Sequence, residues 1–291
     1  MTFSTRVTTT DETAIIHEVI ATAGWGITHE CVHVVQSLDP AAYLLASDES
    51  GRAIGVGFGL AFRQSAWIGH LVVRPEARGL GVGKALFDEI LRHLVDSGKW
   101  PIYLVATEMG APLYAKFGFV HDGGWTRWEF PHGAEPNLAA VAALGASSLG
   151  ISVLPIEDGH LSRLVQFDTE RFGDDRGQLL ELSYRMYPQR SLVALRPDGD
   201  VAGCVVGGTL GLGPFVAEPE AAAPLLASLL RLPSSARPSR IHLTFPDSNT
   251  TATELCRAAG MVPTRTWLRM VLGEGCRPTD STLFNASVAH G

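Results

Sequence analysis

Trp67–Leu91 reads WIGHLVVRPEARGLGVGKALFDEIL. Trp67 to Val73 is short, apolar and rich in β-branched residues, the composition of a strand, and Pro75 closes it. Arg78-Gly79-Leu80-Gly81-Val82-Gly83-Lys84 follows as a glycine-rich loop. From Lys84 onward the apolar residues fall at Leu86, Phe87, Ile90, Leu91 and Leu94, which is helical spacing. The stretch thus predicts a strand, a glycine loop and a helix N-terminus in that order. Such a junction suits a phosphate, because the first N–H groups of a helix have no intrahelical acceptor and the helix dipole favours an anion there. Glycine adds close backbone approach and positive φ, and Arg78 and Lys84 add charge.

The loop is not a Mg-nucleotide P-loop, since Ala85 and not Ser or Thr follows Lys84. Nor does it have the Gly-x-Gly-x-x-Gly order of a dinucleotide fold. Its order is Arg-x-x-Gly-x-Gly, at Arg78, Gly81 and Gly83. Following a strand that ends Leu71-Val72-Val73-Arg74-Pro75, it resembles the pyrophosphate loop of the GNAT family of acyl-CoA N-acyltransferases. A second segment, Ala111-Pro112-Leu113-Tyr114-Ala115-Lys116-Phe117-Gly118-Phe119, resembles the family helix that carries a tyrosine beside the CoA sulfur. The resemblance implies acetyl-CoA as co-substrate, no metal, and direct transfer to an amine in a ternary complex. It implies pyrophosphate binding by Arg78, Gly79, Leu80, Gly81, Val82, Gly83 and Lys84, and pairing of pantetheine with the strand edge at Leu71, Val72 and Val73. Tyr114 becomes the general acid that protonates the departing thiolate, the alternative being a phenol that only supports its helix. His70 is the nearest candidate base on the central strand, although Gly69 and Leu71 face the other way by alternation. Glu30, His29 and Glu108 are alternatives to it.

Bulk properties agree with a folded globular protein. The chain has 291 residues, 46% apolar and 18% charged, enough for about two domains with sizeable cores. A net charge of −7 without a basic cluster argues against nucleic acid as partner. No apolar run reaches the ~20 residues of a membrane span, and the N-terminus lacks an apolar signal core. Cys31, Cys204, Cys256 and Cys276 are scattered without Cys-x-x-Cys spacing, which disfavours a zinc site or a disulfide framework. A cytoplasmic location is the expectation.

In chain order, Phe3 to Thr8 predicts a strand, Asp11 to Ala23 a helix, and Thr28 caps a second helix running to Ser37. In the family this pair lies over the acceptor site, which makes Trp25 a candidate substrate wall, or equally a core plug, and Glu30 a candidate substrate contact. Ala42–Ala46 and Ile54–Phe62 read as a hairpin whose second strand carries Gly55, Gly57 and Gly59 on one bare face, inviting a ligand or a close backbone. Pro101–Thr107 is a strand, and Phe119–Phe130 reads as two closing strands around an Asp122-Gly123-Gly124 turn.

Gly133–Gly150 is rich in Ala, Gly and Ser and reads as an interdomain linker with room for a partly helical stretch. The pattern then restarts. Gly118, Trp125 and Arg127 recur in spacing as Gly260, Trp267 and Arg269, and Gly69, Pro75 and Glu76 as Gly213, Pro219 and Glu220. Where the glycine loop should be, the second copy has Ala221-Ala222-Ala223-Pro224, and at the place of Tyr114 it has Cys256. The expected fold is α/β, with two tandem GNAT-like domains, each a twisted, mostly antiparallel mixed sheet flanked by helices. The expected boundaries are 1–133 for a catalytic domain, 134–150 for the linker, 151–275 for a degenerate domain and 276–291 for a mobile tail. Asp168, Asp174, Asp175 and Arg176 form the second copy's polar knot, with Asp168 and Arg176 as candidate acceptor contacts and helix capping as the competing reading. The function expected is acetyl transfer to a primary amine of a small molecule. The alternatives are a peptide or protein amine as acceptor, or a non-catalytic acyl-CoA sensor. A homodimer is left open.

Overall fold

The computed structural model describes residues 2–147, 150–207, 212–233, 235–236, 240–275 and 277–285. Two compact units share the chain. Among the described residues, 2–121 with 269–275 form the first, and 122–268 with 277–285 the second. Both are mixed α/β, as the sequence predicts.

The first unit contains β1 (Phe3–Val7), α1 (Thr13–Ala21), α2 (His29–Leu38), β2 (Tyr43–Asp48), β3 (Ala53–Ala61), β4 (Ala66–Val73), α3 (Val82–Asp96), β5 (Ile102–Ala106) and α4 (Ala111–Ala115). β1 to β4 are antiparallel neighbours in sequence order, and β5 runs parallel to β4. One sheet face is apolar because Tyr43, Leu45, Val56 and Phe58 alternate onto it, and Ile16, Val19 and Ile20 of α1 with Val32 and Val35 of α2 cover it. The other face of β3 carries Gly55, Gly57 and Gly59. Neither a ligand nor a partner backbone fills it. Helix α3 does: a Cβ on Gly57 would come within 2.8 Å of Ile90 and 2.9 Å of Leu71. The glycines let α3 seat its Val82, Leu86, Ile90 and Leu94 face directly on the sheet.

The second unit continues with β6 (Val120–Glu129), α5 (Leu138–Leu144), β7 (Ser152–Pro155), α6 (Leu161–Phe172), α7 (Gly177–Met186), β8 (Leu192–Leu195), β9 (Val201–Gly207), β10 (Leu212–Ala217), α8 (Pro219–Leu230), β11 (His242–Pro246), α9 (Thr250–Ala259), β12 (Val262–Leu272) and β13 (Leu283–Asn285). Here two readings from sequence are corrected, and a third is filled in. Asp122-Gly123-Gly124 is not a hairpin turn, because β6 is one continuous strand paired antiparallel with β11 from Glu129↔His242 to Trp125↔Pro246. Gly124 serves a close approach, since a Cβ there would run into the Asp247 carboxylate, and Gly123 takes φ 111°. The linker stretch holds a helix: Asn137 caps α5 by accepting from Ala140 N–H at 3.1 Å, and Val141 is buried in the unit's core. The expected tail contributes β13, which pairs with β10, and Leu283 and Phe284 are fully buried.

The closing strands do not stay with the copies that encode them. Residues 122–129 of β6 belong to the second unit, while β12, next to β6 in strand order, passes from Arg269 onward into the first unit beside β5.

Candidate functional site

The first unit's site is built on an irregularity in β4. Its ladder with β3 runs Val56↔Val72 and then Phe58↔Gly69, so β4 carries one residue more than its partner over this step. That extra residue is a bulge, and His70 sits in it at φ 49°, a backbone region that residues other than glycine seldom adopt. The parallel ladder with β5 spans only Ala66–Ile68 against Ile102–Leu104. Beyond Ile68 the edge of β4 at Leu71, Val72 and Val73 has left its neighbour. A strand edge of this kind offers main-chain donors and acceptors to an extended ligand.

The edge leads into the glycine loop. Arg78 Nε donates to the Val73 carbonyl at 3.1 Å and holds the turn shut. Gly79 and Gly81 take φ of 77° and 87°, and neither would meet an atom within 4 Å if it carried a Cβ, so the loop faces open space. The need for glycine at these two positions is therefore conformational. Gly81 is the N-cap of α3, and the N–H groups of the first helical turn point from it without intrahelical acceptors. Gly83 lies where a Cβ would touch Val73 at 3.4 Å, bringing helix and strand together. Lys84 is exposed, bonded to Asp88 at 2.5 Å and 5.5 Å from the centre of the Phe117 ring. Backbone N–H groups, a helix dipole and two exposed cations make a cradle for a polyphosphate.

Tyr114 stands on α4 with its ring centre 4.9 Å from that of Phe87, a residue of α3 itself. Gly110 permits this, since a Cβ there would come within 3.2 Å of the ring. Burial pushes the phenol up to about 12, so it is a proton donor at any physiological pH. Phe87 read as plain helix core in sequence; it is the post against which Tyr114 is set.

His70 is buried, and its Nδ1 lies 2.6 Å from the Tyr43 hydroxyl, with the Phe58 ring edge-on at 5.0 Å. Burial lifts Tyr43 well above the ordinary phenol range, so its O–H is present to donate. Donation to Nδ1 puts the imidazole proton on Nε2; service as a base at Nε2 needs this bond reversed. Tyr43 escaped the sequence reading because only strand register brings β2 to β4. Trp25 packs against the core beneath α1 and α2. Glu30 is exposed in the first turn of α2, and hydrogen bonding from Thr28 holds its carboxyl below the usual range.

Asp168 and Arg176 are corrected as acceptor contacts. They form a two-pronged ion pair, Nε and one terminal nitrogen each at 2.8 Å from the carboxylate, and both side chains are fully buried. Arg176 also lies over the Phe172 ring at 3.8 Å. The pair ties the α6–α7 junction and presents no face to a ligand. At the second unit's counterpart of the loop, α8 starts on Glu218 and Pro219, with Glu218 held by Arg171 and Glu220 by Arg196. Proline has no N–H and the carboxylates oppose an anion. Among the described residues no cluster of three or more metal-ligating side chains occurs, and no helix is long and apolar enough to cross a membrane.

Comparison with known proteins finds the same domain family in each half of the chain. Residues 23–127 and 164–285 each match a family model described as an acetyltransferase (GNAT) domain. A candidate acetyltransferase structure from Pyrococcus horikoshii superimposes with a TM-score of 0.80 at 22% identity, over 99% of this chain and 96% of that one. A tandem GNAT protein from the clavulanic acid biosynthesis pathway gives 0.64 at 15% identity, over 93% and 98%. A mycothiol acetyltransferase of Arthrobacter is 35% identical over 102 residues. That match spans 31% of this chain and 29% of the relative, so it speaks for a domain and not for a whole protein.

Proposed function

The chain belongs to the GNAT family of acetyltransferases, and from that premise we propose that it moves an acetyl group from acetyl-CoA to the primary amine of a small molecule by direct transfer. Catalysis is assigned to the first unit. The observation that carries this is the continuous path from the unpaired edge of β4, through the left-handed turns at Gly79 and Gly81, to the start of α3, with the Tyr114 phenol packed on that same helix.

In this reading the N–H groups from Gly79 to Lys84 hold the pyrophosphate, and Leu71, Val72 and Val73 bind the pantetheine amides as an added strand. A main-chain N–H at the Val73 end polarises the thioester carbonyl as charge develops on its oxygen. The amine attacks, the C–S bond breaks, and Tyr114 O–H is aimed at the departing sulfur. A phenol near 12 is a weak acid in water, but the pocket that raises the phenol raises a thiolate too, so the hydrogen bond keeps its driving force. His70, oriented by Tyr43, takes the proton the amine must lose. Trp25 and Glu30 are proposed to line the acceptor side, the exposed carboxylate attracting a cationic amine. The similarity to relatives named for mycothiol, a small molecule, favours a small acceptor over a protein amine.

The test is calorimetric titration of acetyl-CoA into the wild type and a Gly81→Asp, Gly83→Asp double variant, followed by thiol-release assays across small amines and peptide N-termini. One site per chain, lost in the double variant, with thiol release on a small amine, is expected. Binding without release on any acceptor would establish a sensor instead, and absence of binding by the wild type would refute the acetyl-CoA reading.

A further inference from the structure

One face of the β12, β6 and β11 strands in the second unit is built differently from the other. The inner face, with Trp128, Leu243 and Phe245, is core. On the outer face the register sets Glu129 beside His242 and Arg127 beside Thr244, with Trp125 and Thr244 buried at its closed end. Trp267 of β12 joins this face, since the Arg127 guanidinium lies 5.2 Å from its ring centre and the Arg265 guanidinium 5.1 Å. At the open end Arg265 and Arg240 are exposed, Arg240 to 79% of its side chain. Arg127 is common to two clusters: with Arg265 it flanks the Trp267 indole, and with Arg240 it flanks the Glu129 carboxylate. Glu129 accepts a hydrogen bond from Arg240 at 3.4 Å and stands 3.9 Å from Arg127, too far for a second one.

Stacking on Trp267 accounts for the place of Arg265. Arg127 shares that ring, yet its Nε is buried without a hydrogen-bond partner among the described residues. A buried guanidinium donor left unmatched, beside two further cations, is costly unless an acceptor arrives. The neighbouring charges act on the site as expected: Arg127 is held below its ordinary range by burial and by Arg265 and Arg240. His242 is pushed down to about 3 by burial and by Arg127 and Arg240, so it adds a neutral hydrogen-bonding group and no fourth charge.

We propose that this face is a binding site for a small anion of the phosphate or carboxylate class, gripped by Arg127, Arg240 and Arg265 above the Trp267 ring. Planar guanidinium forks match both oxyanions in two-pronged geometry, and the polar floor is already fixed by the sheet. The site stands on its own residues and does not depend on acyl transfer in the first unit.

The experiment uses the full chain carrying Gly81→Asp and Gly83→Asp, which removes the other place where phosphate would bind. Inorganic phosphate and malonate are titrated separately by calorimetry at low ionic strength. Saturable binding of one ion per chain is expected, weakened about tenfold or more by Arg127→Gln and by Arg265→Gln. Arg265 is exposed, so its variant keeps the test valid should Arg127→Gln fail to fold. A response to phosphate alone or to malonate alone supports the site and identifies the class. Absence of saturable binding by either ion, or binding unchanged in Arg265→Gln, overturns the proposal.

Discussion

At the scale of single residues, Tyr114 and His242 are both set by burial, with opposite consequences. Tyr114 keeps its proton because its phenol is lifted to about 12. Tyr114→Phe leaves the ring packed on Phe87 and removes only the O–H. We expect the variant to bind acetyl-CoA within about twofold of wild type while turnover falls by about 10²–10³, read by thiol release. A matching loss of affinity would make the tyrosine a support and not an acid. His242 loses its proton because its buried place beside Arg127 and Arg240 opposes charge, bringing it to about 3. In the unfolded chain it takes up a proton near 6.5. Between these values the unfolded state binds more protons, so His242 makes stability fall as pH drops from about 6.5 towards 3 and adds no slope above that window. His242→Gln should flatten this part of the stability profile, measured as urea midpoints at pH 7 and pH 4; an unchanged slope would contradict the burial. Tyr114 and the Gly81 loop were legible in sequence because each lies in a contiguous stretch with fixed spacing. The pairing of His70 with Tyr43 was not, because it depends on a strand register and a bulge that leave no mark in residue spacing.

At the scale of elements, amphipathic helices and alternating strands were legible, and what escaped was short or locally ambiguous. β13 offers only Leu283 and Phe284 as apolar residues, too few for any periodic signal, yet both are fully buried. Phe284 rests on Phe215 of β10 with ring centres 5.3 Å apart, and Asn249 at the N-cap of α9 donates to the Leu283 carbonyl at 2.9 Å. Pairing with β10 covers an edge that the first unit leaves open on β4. Phe284→Ala is expected to destabilise the second unit by about 3–5 kcal/mol, the usual range for emptying a filled aromatic site, measured by urea denaturation. A loss under about 1 kcal/mol would show that the segment is only laid on the surface. The Asp122-Gly123-Gly124 sequence misled for a related reason. Glycines serve tight turns and close approaches alike, and at Gly124 the Asp247 carboxylate requires the second use.

At the scale of the whole molecule, the duplication was legible in the repeated Gly–Trp–Arg spacing, but the exchange of closing strands was not, because either copy of a repeated strand satisfies the same pattern. The exchange has a physical consequence. β5 of the first unit has Ile102, Tyr103, Leu104 and Ala106 buried, and the chain that completes its surroundings begins at Arg269. Gly273 lies where a Cβ would be 2.6 Å from the Trp100 ring, so the returning segment is fitted closely to the start of β5. A fragment of residues 1–133 therefore lacks part of its own unit and exposes an unpaired, apolar strand edge, which invites aggregation. We expect this fragment alone to melt without a cooperative transition and to bind no acetyl-CoA. Co-expression with residues 134–291 should restore both, because the segment from Arg269 to Leu272 can then dock beside β5 without being covalently continuous with it. A cooperative melt and full acetyl-CoA affinity in the 1–133 fragment alone would mean that the exchanged strand is dispensable, and that the catalytic assignment needs only the first copy of the repeat.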